Sequence, residues 1–213
     1  NQSSPTEVQV FFDNAGANPT ARLESPAGDD IIAGIFGIGG ETQSVGVFKN
    51  YDIRYAKGHS PSKEDWTGIR ESSRPLRGEL AKWDTMIIGD GLYSLQLVVT
   101  DENSYTSEDI VRVVVDNTQP VIGLTAPASE SIQTGEVEIK GSISDDNLEL
   151  YTIEFAPGAN PSSGWEFLGE AGREKSINRS WSTTGLDGLY SLRITATDRS
   201  KPTPNTASLL RTV

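Results

Sequence analysis

Apolar residues in this chain recur at every second position over short stretches, a period that belongs to strands with one buried face. Val137 and Ile139 alternate with Glu136, Glu138 and Lys140, and Tyr151, Ile153 and Phe155 alternate with Thr152 and Glu154. Tyr190, Leu192, Ile194 and Ala196 alternate with Ser191, Arg193, Thr195 and Thr197, and Tyr93, Leu95, Leu97 and Val99 keep the same phase earlier in the chain. Asp90-Gly91, Asp187-Gly188 and Pro157-Gly158 supply turn chemistry between these runs. In the second half the pattern predicts strands near 120–126, 135–144, 148–156, 165–170, 174–182, 188–198 and 206–213.

The same landmarks occur twice, in the same order, about one hundred residues apart. Pro19 to Pro26 returns as Pro120 to Pro127, and Gly34 and Gly40 return as Gly135 and Gly141, each at an offset of 101. Tyr51 to Gly58 matches Tyr151 to Gly158, Trp66 matches Trp165, and Trp83 matches Trp181, at offsets that slide from 100 to 98. Asp90 to Leu95 recurs as Asp187 to Leu192, and Thr100-Asp101 recurs as Thr197-Asp198. The division expected from this repeat is a module over 19–116 and a second over 117–213. Val8 to Asn14 resembles Val111 to Asn117, so 1–18 is expected to hold the tail strand of an upstream module or an extended first strand. Both ends of the sequence read as cuts inside an array.

The progression from Trp181 through Leu186-Asp-Gly-Leu-Tyr190-Ser-Leu192 to Ala196-Thr-Asp198, with the Asp116-Asn-Thr-Gln-Pro120 junction, carries a resemblance. The chain resembles the tandem immunoglobulin-like and fibronectin type III-like modules of bacterial secreted and cell-surface proteins, and more weakly the cadherin-like repeats. The fold class implied is all-β, two tandem seven-stranded immunoglobulin-like β-sandwiches. A tyrosine in the place of Tyr190 often pins a corner of such a sandwich through its hydroxyl. These motifs specify architecture better than task, because such modules accompany adhesins and secreted hydrolases alike.

Charge and composition narrow the function. Eighteen basic residues against thirty acidic ones give a formal charge of −12, which disfavours nucleic acid and favours divalent cations. Zero cysteines exclude disulfides, thiol nucleophiles and thiolate metal sites. No apolar run is long enough to span a membrane. His59, alone of its kind, sits in a loop where the other repeat has Ala159, with no nucleophile motif around it. The sequon Asn178-Arg-Ser180 and that at Asn1 read as chance in a bacterial chain.

Two constellations remain. In a seven-stranded sandwich the loops after the second and sixth strands share the end at which the chain enters. Asp145, Asp146, Asn147 and Asp198 are therefore expected to face Asp116 and Asn117, with Asp29, Asp30 and Asp84 approaching from the first repeat. That set could supply the six to eight oxygens of a calcium ion at the inter-module junction; the alternative for the same residues is Asx-turns in solvated loops. Trp66 and Trp165 are the tryptophans expected to be partly exposed and able to stack on a ligand, whereas recurrence of Trp83 and Trp181 argues for packing. The expected function is a non-enzymatic extracellular or cell-surface spacer or adhesion module, partnered by other domains of its own polypeptide. The alternative is a glycan- or peptide-binding accessory of a secreted hydrolase or cell-wall enzyme.

Overall fold

The computed structural model describes residues 18–213. The strand expected at 8–13 and the sequon at Asn1 lie outside them. Fifteen strands are described: β1 (Thr20–Ser25), β2 (Ile31–Ile32), β3 (Ile35–Gln43), β4 (Phe48–Lys57), β5 (Thr67–Ser72), β6 (Arg77–Asp84), β7 (Gly91–Asp101), β8 (Thr106–Val115), β9 (Val121–Ala126), β10 (Glu136–Ser144), β11 (Leu148–Pro157), β12 (Glu166–Gly172), β13 (Ser176–Ser182), β14 (Tyr190–Asp198) and β15 (Thr206–Thr212). A single 3-10 turn, Thr85–Ile87, interrupts them. The fold is all-β, and its strands sit within a few residues of the alternating runs.

Four sheets result. Strands β1-β3-β6 and β2-β8-β7-β4-β5 belong to the first repeat, and β9-β10-β13 and β12-β11-β14-β15 to the second. Leaving out the two-residue strand β2, the two repeats share one order, three strands in one sheet and four in the other. Strand β2 is the feature no pattern announced: Ile31 and Ile32 pair in parallel with Val114 and Val115. Two residues are too few to show a period.

Compactness divides the chain differently from the repeat. One unit holds residues 18–28, Gly37–Trp83 and Tyr93–Arg112; the other holds Asp29–Phe36, Asp84–Leu92 and Val113–Val213. In the first unit Tyr51, Ile53, Leu80, Leu95, Leu97 and Val99 are buried. In the second, Ile139, Tyr151, Ile153, Ile177, Leu192 and Ile194 form the corresponding core. Leu95, Leu97, Val99, Ile139, Tyr151, Ile153, Leu192 and Ile194 are alternating positions read from the sequence, and Tyr51 and Ile53 are the repeat counterparts of Tyr151 and Ile153, whereas Leu80 and Ile177 come from strands in which no alternation was read.

Each core carries an aromatic trio. Tyr55, Trp83 and Tyr93 have ring centroids 5.1 to 6.2 Å apart in the first unit. Phe155, Trp181 and Tyr190 repeat the arrangement at 5.1 to 6.4 Å in the second. Tyr190 thus packs into the trio, while the hydroxyl of Tyr51 donates to the Leu80 carbonyl and that of Tyr151 to the Ser176 carbonyl. Both bonds link a strand of the four-stranded sheet to a strand of the opposite sheet and satisfy a polar group inside the core.

Candidate functional site: an acidic corner in the second unit

The second unit gathers Asp116, Asp145 and Asp198, and one carboxylate oxygen of each lies within 4.8 Å of the others. Asp198 ends β14, Asp145 opens the three-residue turn from β10 to β11, and Asp116 follows β8. The turn is acidic only here: between β3 and β4 the first repeat has Ser44-Val45-Gly46-Val47 instead. Asp198 is 1% exposed and Asp116 7% exposed, so two of the three charges are withdrawn from water.

Neutral donors compensate them. The Asp198 carboxylate accepts from the Ser200 and Asn205 backbone N–H groups at 3.0 and 2.8 Å, and from Ser200 Oγ and Asn205 Nδ2, both at 2.8 Å. Asn205 Nδ2 also donates to the Asp116 carbonyl at 2.9 Å, and the one Ser200 hydroxyl proton is shared between Asp198 and that carbonyl, 3.2 Å away. Asp116 accepts from the Thr118 N–H on one oxygen and from Asn147 Nδ2, at 2.6 Å, on the other. Asp145 accepts from the Asn147 N–H at 2.7 Å. Burial raises the Asp145 carboxyl above its ordinary range; the Asn147 N–H opposes that, Asp116 and Asp198 add to it, and Lys175 opposes it weakly.

The expected ligands therefore part company. Asp116, Asp145, Asn147 and Asp198 converge, while Asp146 turns outward, its side chain 98% exposed and ion-paired with Lys175 at 3.2 Å. Asn117 serves a different corner: its Oδ1 accepts from Gly34 N–H at 2.8 Å and Thr85 Oγ1 at 3.2 Å, and its Nδ2 donates to the Thr85 carbonyl. Asp30 pairs with Lys201 Nζ at 2.7 Å, and Asp84 caps the 3-10 turn by accepting from Met86 N–H. Ser200 and Asn205 were not singled out by sequence, although Asp198-Arg-Ser200 has the spacing of an Asx-turn. Asp90 was also missed; it accepts from Asn117 N–H and Thr118 Oγ1.

A recess of about 540 Å³ opens beside this corner, lined by Asp90, Asp116, Thr118, Asp145, Asp146 and Asn147 among others. All-oxygen donors in an acidic recess suit a hard divalent cation. Asp198 already accepts two hydrogen bonds on each oxygen, so the free lone pairs are chiefly those of Asp116 and Asp145.

The tryptophans occupy two environments. Trp83 and Trp181 are 2% exposed. Trp66 and Trp165 are half-buried, with the Arg54 guanidinium 5.4 Å from one ring centroid and that of Arg193 4.0 Å from the other. One face of each ring is thus taken by a cation–π contact. Arg193 is itself held by Glu154 at 2.7 Å, and Arg54 by Gln96 at 2.6 Å. His59 lies half-buried in its loop with Nε2 lacking a partner.

No family model matches the chain, and no curated protein matches it. Solved structures do. The fibronectin(III)-like modules of Clostridium thermocellum CbhA are 20% identical, with 87% of this chain and 90% of that one covered and a TM-score of 0.44. The FN1-FN3 domains of chicken CNTN1 are 13% identical over 92% of this chain and 66% of that one, TM-score 0.43. A tetra-tandem repeat from the extending region of a large adhesion protein is 15% identical over 88% of this chain, which spans 49% of it, TM-score 0.35. The chain is a tandem of fibronectin type III-like, immunoglobulin-like sandwiches. Its own strand order, three against four in the second repeat and the same in the first once the two-residue β2 is set aside, carries that assignment. Among the described residues no helix is long and apolar enough to cross a membrane.

Proposed function

We propose that the chain is a non-enzymatic structural spacer or adhesion-type segment of a larger extracellular or cell-surface protein, in which the stretch joining the repeats is a folded element and not a free tether. The observation that carries this reading is the bonding of residues 116–118. Asp116 N–H donates to Ile32 O at 3.0 Å, Asn117 N–H to Asp90 at 2.9 Å, and Thr118 N–H to Asp116 at 3.1 Å. A tether without such partners would sample many conformations, whereas this one has spent that freedom on hydrogen bonds. The partners in this reading are other domains of the same polypeptide, as in the multidomain proteins from which the similar structures come.

Asp116, Asp145 and Asp198, with Asn147, are the residues we assign to a calcium ion in this reading. With one carboxylate saturated by protein donors, affinity falls in the weak range of extracellular modules, about 10⁻⁴ to 10⁻³ M. The glycan- or peptide-binding alternative would use Trp66 and Trp165, and the arginines stacked on both rings weigh against it.

Amide hydrogen exchange tests the spacer reading. The N–H groups of Asp116, Asn117 and Thr118 are expected to exchange as slowly as those of neighbouring strand ends. Exchange at the rate of an open peptide, or solution scattering that fits only freely reorienting halves, would overturn it.

A further inference from the structure

Each repeat leaves one strand of its three-stranded sheet open along one side. Among the described residues β1 and β9 stand at the ends of their sheets, bonded to β3 and β10 along one edge only. The other edge carries N–H and C=O groups in the pattern that a strand from another molecule needs for pairing. Pro26 and Pro127, with no N–H to offer, close off one end of each edge. What remains is the middle of the strand, at Leu23 and at its counterpart Leu124, 101 residues on.

That middle is occupied in both repeats by a side chain reaching across from the opposite sheet. Leu23 N–H donates to Asp109 Oδ2 of β8 at 2.7 Å. The Leu124 carbonyl accepts from Arg211 Nη2 of β15 at 3.3 Å, and the Pro127 carbonyl from Nη1 at 3.5 Å. A carboxylate meets a donor in the first repeat, and a guanidinium meets acceptors in the second.

Packing does not require either charge. Leu209 and Arg211 lie opposite buried Ile194 and Leu192, on the inward face of β15. Asp101 N–H donates to Tyr105 O and Asp198 N–H to Asn205 O, both at 3.0 Å, so residues after 105 and 205 correspond at an offset of 100. Asp109 therefore takes the place of Leu209, and Val111 that of Arg211. Leucine or valine fills each of these inward positions in one repeat, yet both repeats keep one charge, at different places, aimed at the same strand edge. An inward carboxylate costs solvation that a leucine does not.

We propose that Asp109 and Arg211 are edge guards, and that the partner Asp109 keeps off is a second copy of this chain. The charges on β1 identify that partner. Antiparallel pairing of β1 with itself, centred on Leu23, sets Arg22 of each copy opposite Glu24 of the other and lets the two Leu23 residues exchange N–H and C=O. Such a contact is isologous and closes on two chains. Within one chain the same two side chains, Arg22 and Glu24, bond each other. This goes beyond the spacer reading, since it accounts for such segments staying unjoined side by side.

The test places in the first repeat the residue that the second carries. The full chain with Asp109→Leu is expected to keep its fold, while exchange of the Leu23 amide at micromolar protein speeds up about tenfold or more. As concentration rises toward about 1 mM, that exchange slows again and the mass seen in sedimentation moves toward twice the parent's, whereas the parent stays a monomer. Glu24→Lys added to Asp109→Leu sets like charges opposite each other and is expected to return a monomer. An Asp109→Leu chain that stays monomeric at every concentration would overturn the proposal, and so would a dimer indifferent to Glu24→Lys. A chain that no longer folds with Asp109→Leu would do the same, because the carboxylate would then serve the core and not the edge. None of these outcomes touches the bonding of residues 116–118, on which the spacer reading rests.

Discussion

Asp145 carries the electrostatic cost of the acidic corner, since Asp198 has four protein donors and Asp116 two, while Asp145 has one and faces both other charges. Its carboxyl is raised in the folded state, so between the unfolded value near 3.8 and the folded one the native protein binds more protons than the unfolded chain. Stability from this group then rises as pH falls through the folded pKa, and is fully gained once pH lies below the unfolded one. Asp145→Asn removes the charge and keeps the shape. Without calcium the variant is expected to melt above the parent at neutral pH and to lose this part of the pH dependence. With calcium the order is expected to reverse. At about ten times the Kd of the proposed site, binding to the folded parent would add about 1.4 kcal/mol by mass action, or roughly 4–8 °C, and the variant would gain little. Thermal melts of both proteins with chelator and with millimolar calcium decide it; a parent midpoint unmoved by calcium removes the ion.

Elements were legible where the signal was local. Period two placed the long strands because burial acts on each side chain separately, and the repeat placed Gly40 and Gly141 at equivalent positions before their purpose was visible. The purpose is a close approach: Gly40 lies beside the Arg22 carbonyl and Gly141 beside that of Gly123, both where the strand pairing slips by a residue. A Cβ at either site would overlap that oxygen, so glycine is dictated by the bulge. Gly141→Ala is expected to cost at least about 2 kcal/mol, since β9 must move off β10. Gly135→Ala, at positive φ but in open space, is expected to cost about 1 kcal/mol. Chemical denaturation of the two variants checks the order; equal costs would mean that backbone conformation, not approach, selects these glycines. What stayed hidden was long-range. The sandwich topology brought Asp145 and Asp198 to Asp116, but Asn117 bonds Gly34 across 83 residues and Ser200 bonds Asp116 across 84. No local pattern encodes which of two adjacent side chains, Asp145 or Asp146, turns inward.

At the scale of the whole molecule, the mismatch between sequence repeat and compact unit has a consequence for unfolding. Asp29–Phe36 and Asp84–Leu92 belong to the first repeat by sequence and to the second unit by contact. Their backbone bonds, Ala33 to Lys201 and Thr85 to Gly34, should therefore open with the second core and not with the first. Trp181 lies at the centre of the second core, 2% exposed and packed on Phe155 and Tyr190. Trp181→Ala is expected to cost about 3–5 kcal/mol, by lost contact and the cavity left behind. Native-state hydrogen exchange reads where that loss is felt. Protection at Ala33, Thr85 and Lys201 should fall in step with that of β11 and β14, while Leu95 and Leu97 in β7 keep theirs. Protection at Ala33 and Thr85 that instead followed β7 would return those segments to the first repeat's core. The acidic corner would then be a surface patch on one module, and the bonds around Asp116 would lose their claim to hold the joining stretch as part of a fold.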